Sequence, residues 1–126
     1  MKFNNAQEVF DHIINHLVTQ GKRSYSDNDK MCLYRSASGM SCAVGCLMSD
    51  EEYDPAMEGE EVGNVIRRFK QVSWMAKYRS LLDDLQDLHD EVGSWDYQGL
   101  TYTALNDIDE IASSYRLNNP LQSENT

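Results

Sequence analysis

The sequence predicts a predominantly α-helical α+β fold, with about four helices around one core and a small two-stranded hairpin near residues 31–48. Two observations support this prediction. Apolar residues recur at helical intervals in four segments of the chain, whereas one short apolar run has no helical period. A chain of 126 residues amounts to about one domain. We therefore expect a single globular domain over residues 1–116 and a flexible C-terminal tail over residues 117–126.

The first helix is predicted over about residues 4–20. Asn5 and Glu8 have the spacing of a capping box, in which two side chains satisfy backbone N–H groups at the start of a helix. Gly21 supplies a C-terminal stop. Between these signals the apolar residues recur at helical intervals, at Phe3, Ala6, Phe10, Ile13 and Leu17.

Three further amphipathic helices are predicted in the second half of the chain. The second has an apolar stripe of Val62, Val65, Ile66, Phe69 and Val72. Ser73 is predicted to cap the third helix, which ends before Gly93. The apolar face of this third helix comprises Trp74, Tyr78, Leu81, Leu82, Leu85, Leu88 and Val92. The fourth helix has a stripe of Leu100, Ala104, Ile108, Ile111 and Tyr115.

The segment that lacks helical period runs from residue 31 to residue 48. MCLYR is typical of a short strand and SASG of a turn, while MSCAVGCLM fits either a second strand or a buried helical turn. The turn residues favour a hairpin. Ser49 and Glu52 then have capping-box spacing, and the short turn that they begin is expected to end at Asp54 and Pro55.

Charge and composition exclude several classes of partner. The net charge is −10, from 21 acidic against 11 basic side chains, which disfavours nucleic acid and anionic membranes as direct partners. The N-terminus lacks the apolar core of a signal peptide, and no apolar run is long enough to span a bilayer. Three cysteines, an odd number, do not suggest a disulfide framework. We therefore expect a soluble cytoplasmic protein with reduced thiols.

The central motif, YRSASGMSCAVGCLMSDEEYDPAMEG, resembles one found in small, largely uncharacterised proteins of bacteriophages and bacterial genomes. The resemblance covers roughly residues 31–116, and His89 and Asp90 on a later helix fit it. It implies a phage or prophage accessory protein located in the cytoplasm of a bacterial host. It implies no particular activity.

Cys42 and His89 form the one candidate catalytic pair. His89 falls inside the apolar stripe of the third helix, so its ring nitrogens need partners, and a nearby Cys42 could form a Cys-His dyad. Asp90 is expected to point about 100° away from this imidazole, because it is the next residue on the helix. The pattern favours a core histidine, and a small Cys-His hydrolase or amidase remains an alternative.

Two other pairs have the spacing of metal ligands. His12 and His16 lie four residues apart on the first helix, and Cys42 and Cys46 have the same spacing. HIINH lacks the glutamate of the zincin motif, and CAVGC lacks the two-residue spacing of a zinc knuckle. The sequence therefore predicts neither a metal nor another cofactor.

The predicted function is the binding of a host protein rather than catalysis. Residues 50–61 hold seven carboxylates and no basic residue, directly after an apolar run. The residues predicted to bind the partner are Tyr34, Arg35, Asp50, Glu51, Glu52, Tyr53, Asp54 and Glu58. Arg35 has a second interpretation, in which it holds this acidic segment in place. A DNA-mimic inhibitor is a further alternative, because it would also need an array of carboxylates.

Overall fold

The computed structural model describes residues 3–122, and within that range the chain forms four α-helices and two small antiparallel hairpins. The helices are α1 (Ala6–Gln20), α2 (Val62–Arg68), α3 (Arg79–Asp90) and α4 (Tyr102–Ser114). The first hairpin pairs β1 (Tyr25–Ser26) with β2 (Met31–Cys32), and the second pairs β3 (Trp95–Asp96) with β4 (Gly99–Leu100). The predicted fold class, α+β and predominantly helical, is confirmed.

Helix α1 begins and ends at the predicted signals. The Asn5 side chain accepts a hydrogen bond from the Glu8 N–H at 2.9 Å, and Gly21 adopts a left-handed φ of 72° with its N–H donated to the Leu17 carbonyl. The Glu8 carboxylate accepts from the Asn4 N–H, one residue earlier than in a standard capping box. Because its apolar face is fully buried, α1 lies at the centre of the core.

Helix α3 connects the other three helices, because it packs against α1, α2 and α4. The short 3₁₀ turn Gly45–Leu47 also contacts α1. The buried side chains of α3 include Leu82 and Leu85, at the apolar positions expected from the sequence. Among residues 3–122, no helix combines the length and the apolar character that crossing a membrane requires.

The prediction that Ser73 caps the third helix is wrong, because α3 begins at Arg79 with Tyr78 at its N-cap. Helix α2 ends at Arg68, and residues 70–78 form 3₁₀ turns interrupted by a kink at Val72, where φ is −115° and ψ is 15°. Ser73 is exposed and directly follows this kink. The buried residues of the segment, Val72, Met75 and Tyr78, recur every three residues, which is the period of a 3₁₀-helix. The same spacing also fits the apolar stripe of an α-helix, so periodicity could not distinguish a 3₁₀-helix from an α-helix here.

The strand at residues 31–32 was predicted to pair with a later segment of residues 31–48, but it pairs with residues that precede it. Met31 and Cys32 pair with Ser26 and Tyr25, so the hairpin turns through residues 27–30. Residues 36–40 do reverse the chain, as predicted. Within the described residues, the only β pairing across this turn is an isolated bridge between Arg35 and Ser41, so no second strand forms. Residues 42–45 and 47–48 are buried, so this run has no exposed face. It contains the 3₁₀ turn Gly45–Leu47, which agrees with the alternative prediction of a buried helical turn.

The segment after α4 returns to the start of α1. The Gln7 side chain donates to the Asn118 carbonyl at 2.9 Å and accepts from the Asn118 N–H at 2.8 Å. The Leu117 N–H also bonds to the Ala112 carbonyl at 2.8 Å. Of the predicted flexible tail, residues 117–122 are therefore held by these and similar contacts, and residues 123–126 lie outside the described part of the chain.

Candidate functional site

Arg35 holds the beginning of the acidic segment. Its guanidinium contacts the Asp50 carboxylate at 2.6 Å and donates to the Met48 carbonyl. It also lies over the Tyr53 ring, 5.2 Å from the ring centroid. Each of these contacts is internal, which supports the second interpretation of Arg35, as a residue that fixes the segment in place.

Glu58 connects the two halves of the predicted binding surface. Its carboxylate accepts from the Tyr34 N–H at 2.8 Å, the Arg35 N–H at 3.1 Å and the Tyr53 hydroxyl at 2.6 Å. Tyr34 is buried, and its hydroxyl donates to the Glu60 carbonyl at 2.7 Å. Tyr34, Tyr53 and Glu58 therefore bond to one another, which leaves few of their polar groups for a partner.

Glu52 and Asp54 are also occupied within the chain. The predicted capping box is present, because the Ser49 N–H donates to Glu52 and the Glu52 N–H donates to the Ser49 hydroxyl. The Trp74 ring N–H donates to the same carboxylate at 2.9 Å, and Asp54 accepts from the Ala56 N–H. Of the eight predicted binding residues, Glu51 alone has an exposed side chain without a hydrogen bond or ion pair within residues 3–122.

Cys42 and His89 are both buried but do not bond to each other. The Cys42 sulfur accepts from the Gly45 N–H at 3.3 Å, and burial raises the pKa of its thiol to about 12. The His89 Nε2 accepts from the Ser24 N–H at 2.9 Å, so its ring proton is on Nδ1. His89 is thus a buried histidine with both nitrogens bonded to other groups, and the Cys42 sulfur is enclosed without a hydrogen bond to it.

The expected orientation of Asp90 is wrong. Its carboxylate oxygen Oδ1 lies 2.8 Å from the His89 Nδ1 and also accepts from the Gln86 side chain at 3.0 Å. Asp90 is the last residue of α3, so its side chain can turn back where the chain leaves the helix. The argument from helical geometry assumed that the helix continued beyond it.

Cys32, rather than Cys42, is the cysteine beside His89 and Asp90. Its sulfur, a His89 ring nitrogen and an Asp90 carboxylate oxygen all lie within 4.8 Å of one another. Burial and then the Asp90 carboxylate raise the pKa of the Cys32 thiol to about 12, so the thiol stays protonated near neutral pH. Sequence reasoning missed this cluster because it depends on how the β1–β2 hairpin packs on α3.

Native-state thiol labelling is expected to be slow at all three cysteines, and slowest at Cys42. The thiolate is the reactive species, and Cys42 is 1% exposed with a pKa of about 12. Time-resolved reaction with a disulfide reagent, followed by peptide mass spectrometry, measures each rate, and the denatured chain is the control. Rapid labelling of native Cys42 would favour the hydrolase alternative.

The two histidines of α1 bind backbone carbonyls. The His12 Nε2 donates to the Cys46 carbonyl at 3.1 Å, and the His16 Nε2 donates to the Ser41 carbonyl at 2.9 Å. Burial is the main cause that lowers the pKa of His16. These contacts attach the loop after the Arg35–Ser41 bridge to α1, which is a structural role.

Two of the three aromatic residues near the second hairpin are exposed. Trp95 is partly buried, and its ring N–H donates to the His89 carbonyl at 2.8 Å. Tyr97, at the hairpin tip, is 94% exposed, and Tyr102, at the start of α4, is 79% exposed. Exposed tyrosines of this kind are frequent in protein interfaces.

A cleft of about 670 Å³ lies between β2, the start of α2 and α3. Its apolar lining includes Met31, Leu33 and Val62. Five carboxylates line it, namely Glu60, Glu61, Asp83, Asp87 and Asp90. Of the described part of the chain, Arg79 is the one basic residue that lines the cleft, and it is paired with Asp83 at 3.0 Å.

A second, shallower groove of about 380 Å³ lies between α3 and α4. Its acidic lining residues are Asp84, Asp87, Glu91, Asp107 and Glu110. Because Asp87 borders both depressions, their nine carboxylates form one continuous surface, which we call the acidic face. Desolvation, followed by repulsion from Asp90, Asp83 and Asp84, raises the pKa of Asp87.

Comparisons of this chain with protein-family models, with curated proteins and with solved structures gave no match.

Proposed function

We propose that the protein is a non-catalytic binding protein whose acidic face receives a basic surface of a partner protein. One observation supports this most directly: nine carboxylates surround two adjoining depressions, and within residues 3–122 one arginine is the only basic residue that lines them. If the protein is a phage or prophage accessory protein, as the central motif suggests, the partner is a host protein in the bacterial cytoplasm.

The electrostatics of the acidic face favour a cationic partner. Asp83, Asp84, Asp87 and Asp90 follow one another along α3. Desolvation first, and then repulsion from the other three, raises the pKa of Asp87. Lys or Arg side chains of a partner would relieve this repulsion and speed association through long-range attraction. The apolar lining of the cleft can accommodate the aliphatic part of such side chains.

This location differs from the segment that the sequence indicated. Most carboxylates of residues 50–58 have internal partners, whereas Glu61 and Asp87 are exposed and have side chains with no hydrogen bond or ion pair in the described chain. The segment fixed by Arg35 and Glu58 leads directly into the cleft through Glu60 and Glu61. It therefore supports the acidic face, and within residues 50–58 Glu51 remains available for contact.

The combined variant Glu61→Gln and Asp87→Asn is expected to lose partner binding. The matched control is Asp27→Asn with Asp109→Asn, which removes the same charge at exposed positions outside the acidic face. Affinity capture from bacterial lysate, with each tagged chain as bait, identifies proteins kept by the control but lost by the face variant. We expect these proteins to elute at moderate salt and to bind the face variant roughly tenfold more weakly or worse. Equal capture by the two variants would contradict the proposal.

The same acidic face keeps the DNA-mimic alternative open. If the captured partner binds nucleic acid, duplex DNA should compete with this protein for it, and the face variant should be a poorer competitor. The Cys42 and His89 alternative gains no support from the geometry, because Cys42 is enclosed and both His89 nitrogens are bonded to other groups.

A further inference from the structure

We propose that Cys32, His89 and Asp90 form a binding site for a divalent metal ion of the Zn²⁺ class at the wall of the cleft. The donor atoms are a cysteine sulfur, an imidazole nitrogen and a carboxylate oxygen, all within 4.8 Å of one another. Ligand bonds to Zn²⁺ are about 2.0–2.3 Å long, so two ligands of one ion lie roughly 3.5 Å apart in a tetrahedral site. Contraction of the three side chains would create this geometry, together with displacement of the Arg23 guanidinium, which interacts with the Cys32 thiol and donates to the Asp90 carbonyl at 3.1 Å.

The donor set and its position select the kind of ion. Sulfur with imidazole and carboxylate suits Zn²⁺ and related borderline ions better than Mg²⁺ or Ca²⁺, which prefer oxygen ligands. Cys32 and Asp90 both line the cleft, so a fourth ligand such as water would enter from the cleft. The surrounding carboxylates of the acidic face raise the local concentration of cations.

Ser24, whose backbone bonds to His89, has a side-chain hydroxyl whose hydrogen-bonding capacity is unused. Ser24 is fully buried, and its hydroxyl is the buried side-chain polar atom without a hydrogen-bond partner in residues 3–122. The N–H of the same residue donates to the His89 Nε2 at 2.9 Å. Buried polar groups are normally paired, so an unpaired hydroxyl on the residue whose backbone bonds to His89 suggests a second state in which it is used.

Metal binding defines such a state, and its proton balance can be written. The ion takes the Nδ1 lone pair, and the proton of Nδ1 passes to Nε2. The Ser24 N–H then loses its acceptor, so residue 24 has to shift, and this shift brings its hydroxyl to accept from Nε2–H. Cys32 loses its thiol proton to solvent and binds as the thiolate. One proton is therefore released per ion, and the thiolate and the Asp90 carboxylate neutralise the two positive charges.

The test uses Co²⁺ as the probe, added to the full, reduced chain. We expect one Co²⁺ to bind per chain, with a thiolate-to-metal charge-transfer absorption in the near ultraviolet that Zn²⁺ abolishes by displacing Co²⁺. We also expect the release of one proton per ion, which calorimetry in buffers of different ionisation enthalpy measures. Cys32→Ser should abolish the absorption, and Cys46→Ser, the matched control at another partly buried thiol, should retain it. Absence of the band, or its survival in Cys32→Ser, would overturn the proposal.

Two further variants separate ligand binding from folding. Asp90→Asn should lower the Co²⁺ affinity by at least about tenfold, because it removes a charged ligand. Ser24→Ala removes the unpaired hydroxyl, so the metal-free chain should be as stable as the wild type while Co²⁺ affinity falls. Unchanged Co²⁺ affinity in both variants, with thermal unfolding showing an intact fold, would also overturn the site.

Discussion

A Gly45→Ala variant is expected to lose about 3 kcal/mol of the free energy of unfolding, at the upper end of the cost of overpacking a core. A Cβ atom at residue 45 would lie 2.0 Å from the Tyr34 carbonyl oxygen and 2.8 Å from the carbonyl carbon. Both are backbone atoms, so the side chain cannot avoid them by changing rotamer. The same carbonyl accepts the Cys42 N–H, so any shift also disturbs the connection after the Arg35–Ser41 bridge.

Urea denaturation monitored by circular dichroism measures the effect. Gly93→Ala is the matched control, because the nearest atoms to its added Cβ would be 3.7 Å away on the flexible Glu91 side chain. We expect that control to stay within about 0.5 kcal/mol of the wild type. A Gly45→Ala protein as stable as Gly93→Ala would show that the chain at residue 34 can move aside without cost.

Replacing Glu58 by alanine is expected to lower the free energy of unfolding by about 3 kcal/mol. The substitution leaves three donors, two backbone N–H groups and one tyrosine hydroxyl, without their carboxylate acceptor. Each unpaired donor costs roughly 1–3 kcal/mol when buried, and less here because these groups are partly accessible to water. The same segment would also lose the connection that places Glu60 and Glu61 at the cleft.

Glu58→Gln and Glu51→Ala complete this experiment. Glutamine keeps one acceptor oxygen, so we expect a loss of free energy intermediate between wild type and Glu58→Ala. Glu51 is an exposed carboxylate in the same segment, and its replacement should change stability by less than about 0.5 kcal/mol. If Glu58→Ala and Glu51→Ala were equally stable, Glu58 would not have the connecting role that its contacts indicate.

The regular helices could be predicted from the sequence because their local signals agree. In α1 the Asn5 cap, the apolar stripe and the Gly21 stop all specify the same element, and the structure has that helix at residues 6–20. Such consistency between local preference and burial is what makes an element readable from one sequence. The apolar stripe of α4 likewise predicted a helix that the structure contains, although the sequence analysis did not identify its N-cap, Thr101.

The 3₁₀ segment and the hairpins could not be predicted, because their sequence patterns fit more than one type of secondary structure. A three-residue apolar period fits both a 3₁₀ segment and part of an α-helical stripe, which led to the wrong boundary at Ser73. The partner of Met31 and Cys32 depends on pairing across residues 27–30, where DNDK carries no two-residue turn motif. The second hairpin has strands of two residues each, too short for a period to be recognised.

The candidate site shows a further limit, which concerns charge. The sequence located the densest acidic segment, but it could not show that Arg35, Trp74 and backbone N–H groups occupy most of those carboxylates. Which carboxylates remain unpaired depends on packing: beside α3, Glu61 has no ion pair within residues 3–122, whereas the neighbouring Glu60 is paired with Arg68 at 3.1 Å. The cluster of Cys32, His89 and Asp90 could not be predicted from the sequence either, because tertiary contacts bring residues 32 and 89 together.

The reciprocal bonds between Gln7 and Asn118 also bear on the order of folding. They join positions 111 residues apart, whereas the hairpins and the caps close only a few residues each. The entropy lost on closing a loop grows with the logarithm of its length, so this contact has the highest closure cost among the hydrogen bonds of the described chain. It should therefore form after the core has collapsed around α1. For the same reason, the segment after α4 should detach before the rest of the molecule when the protein opens locally.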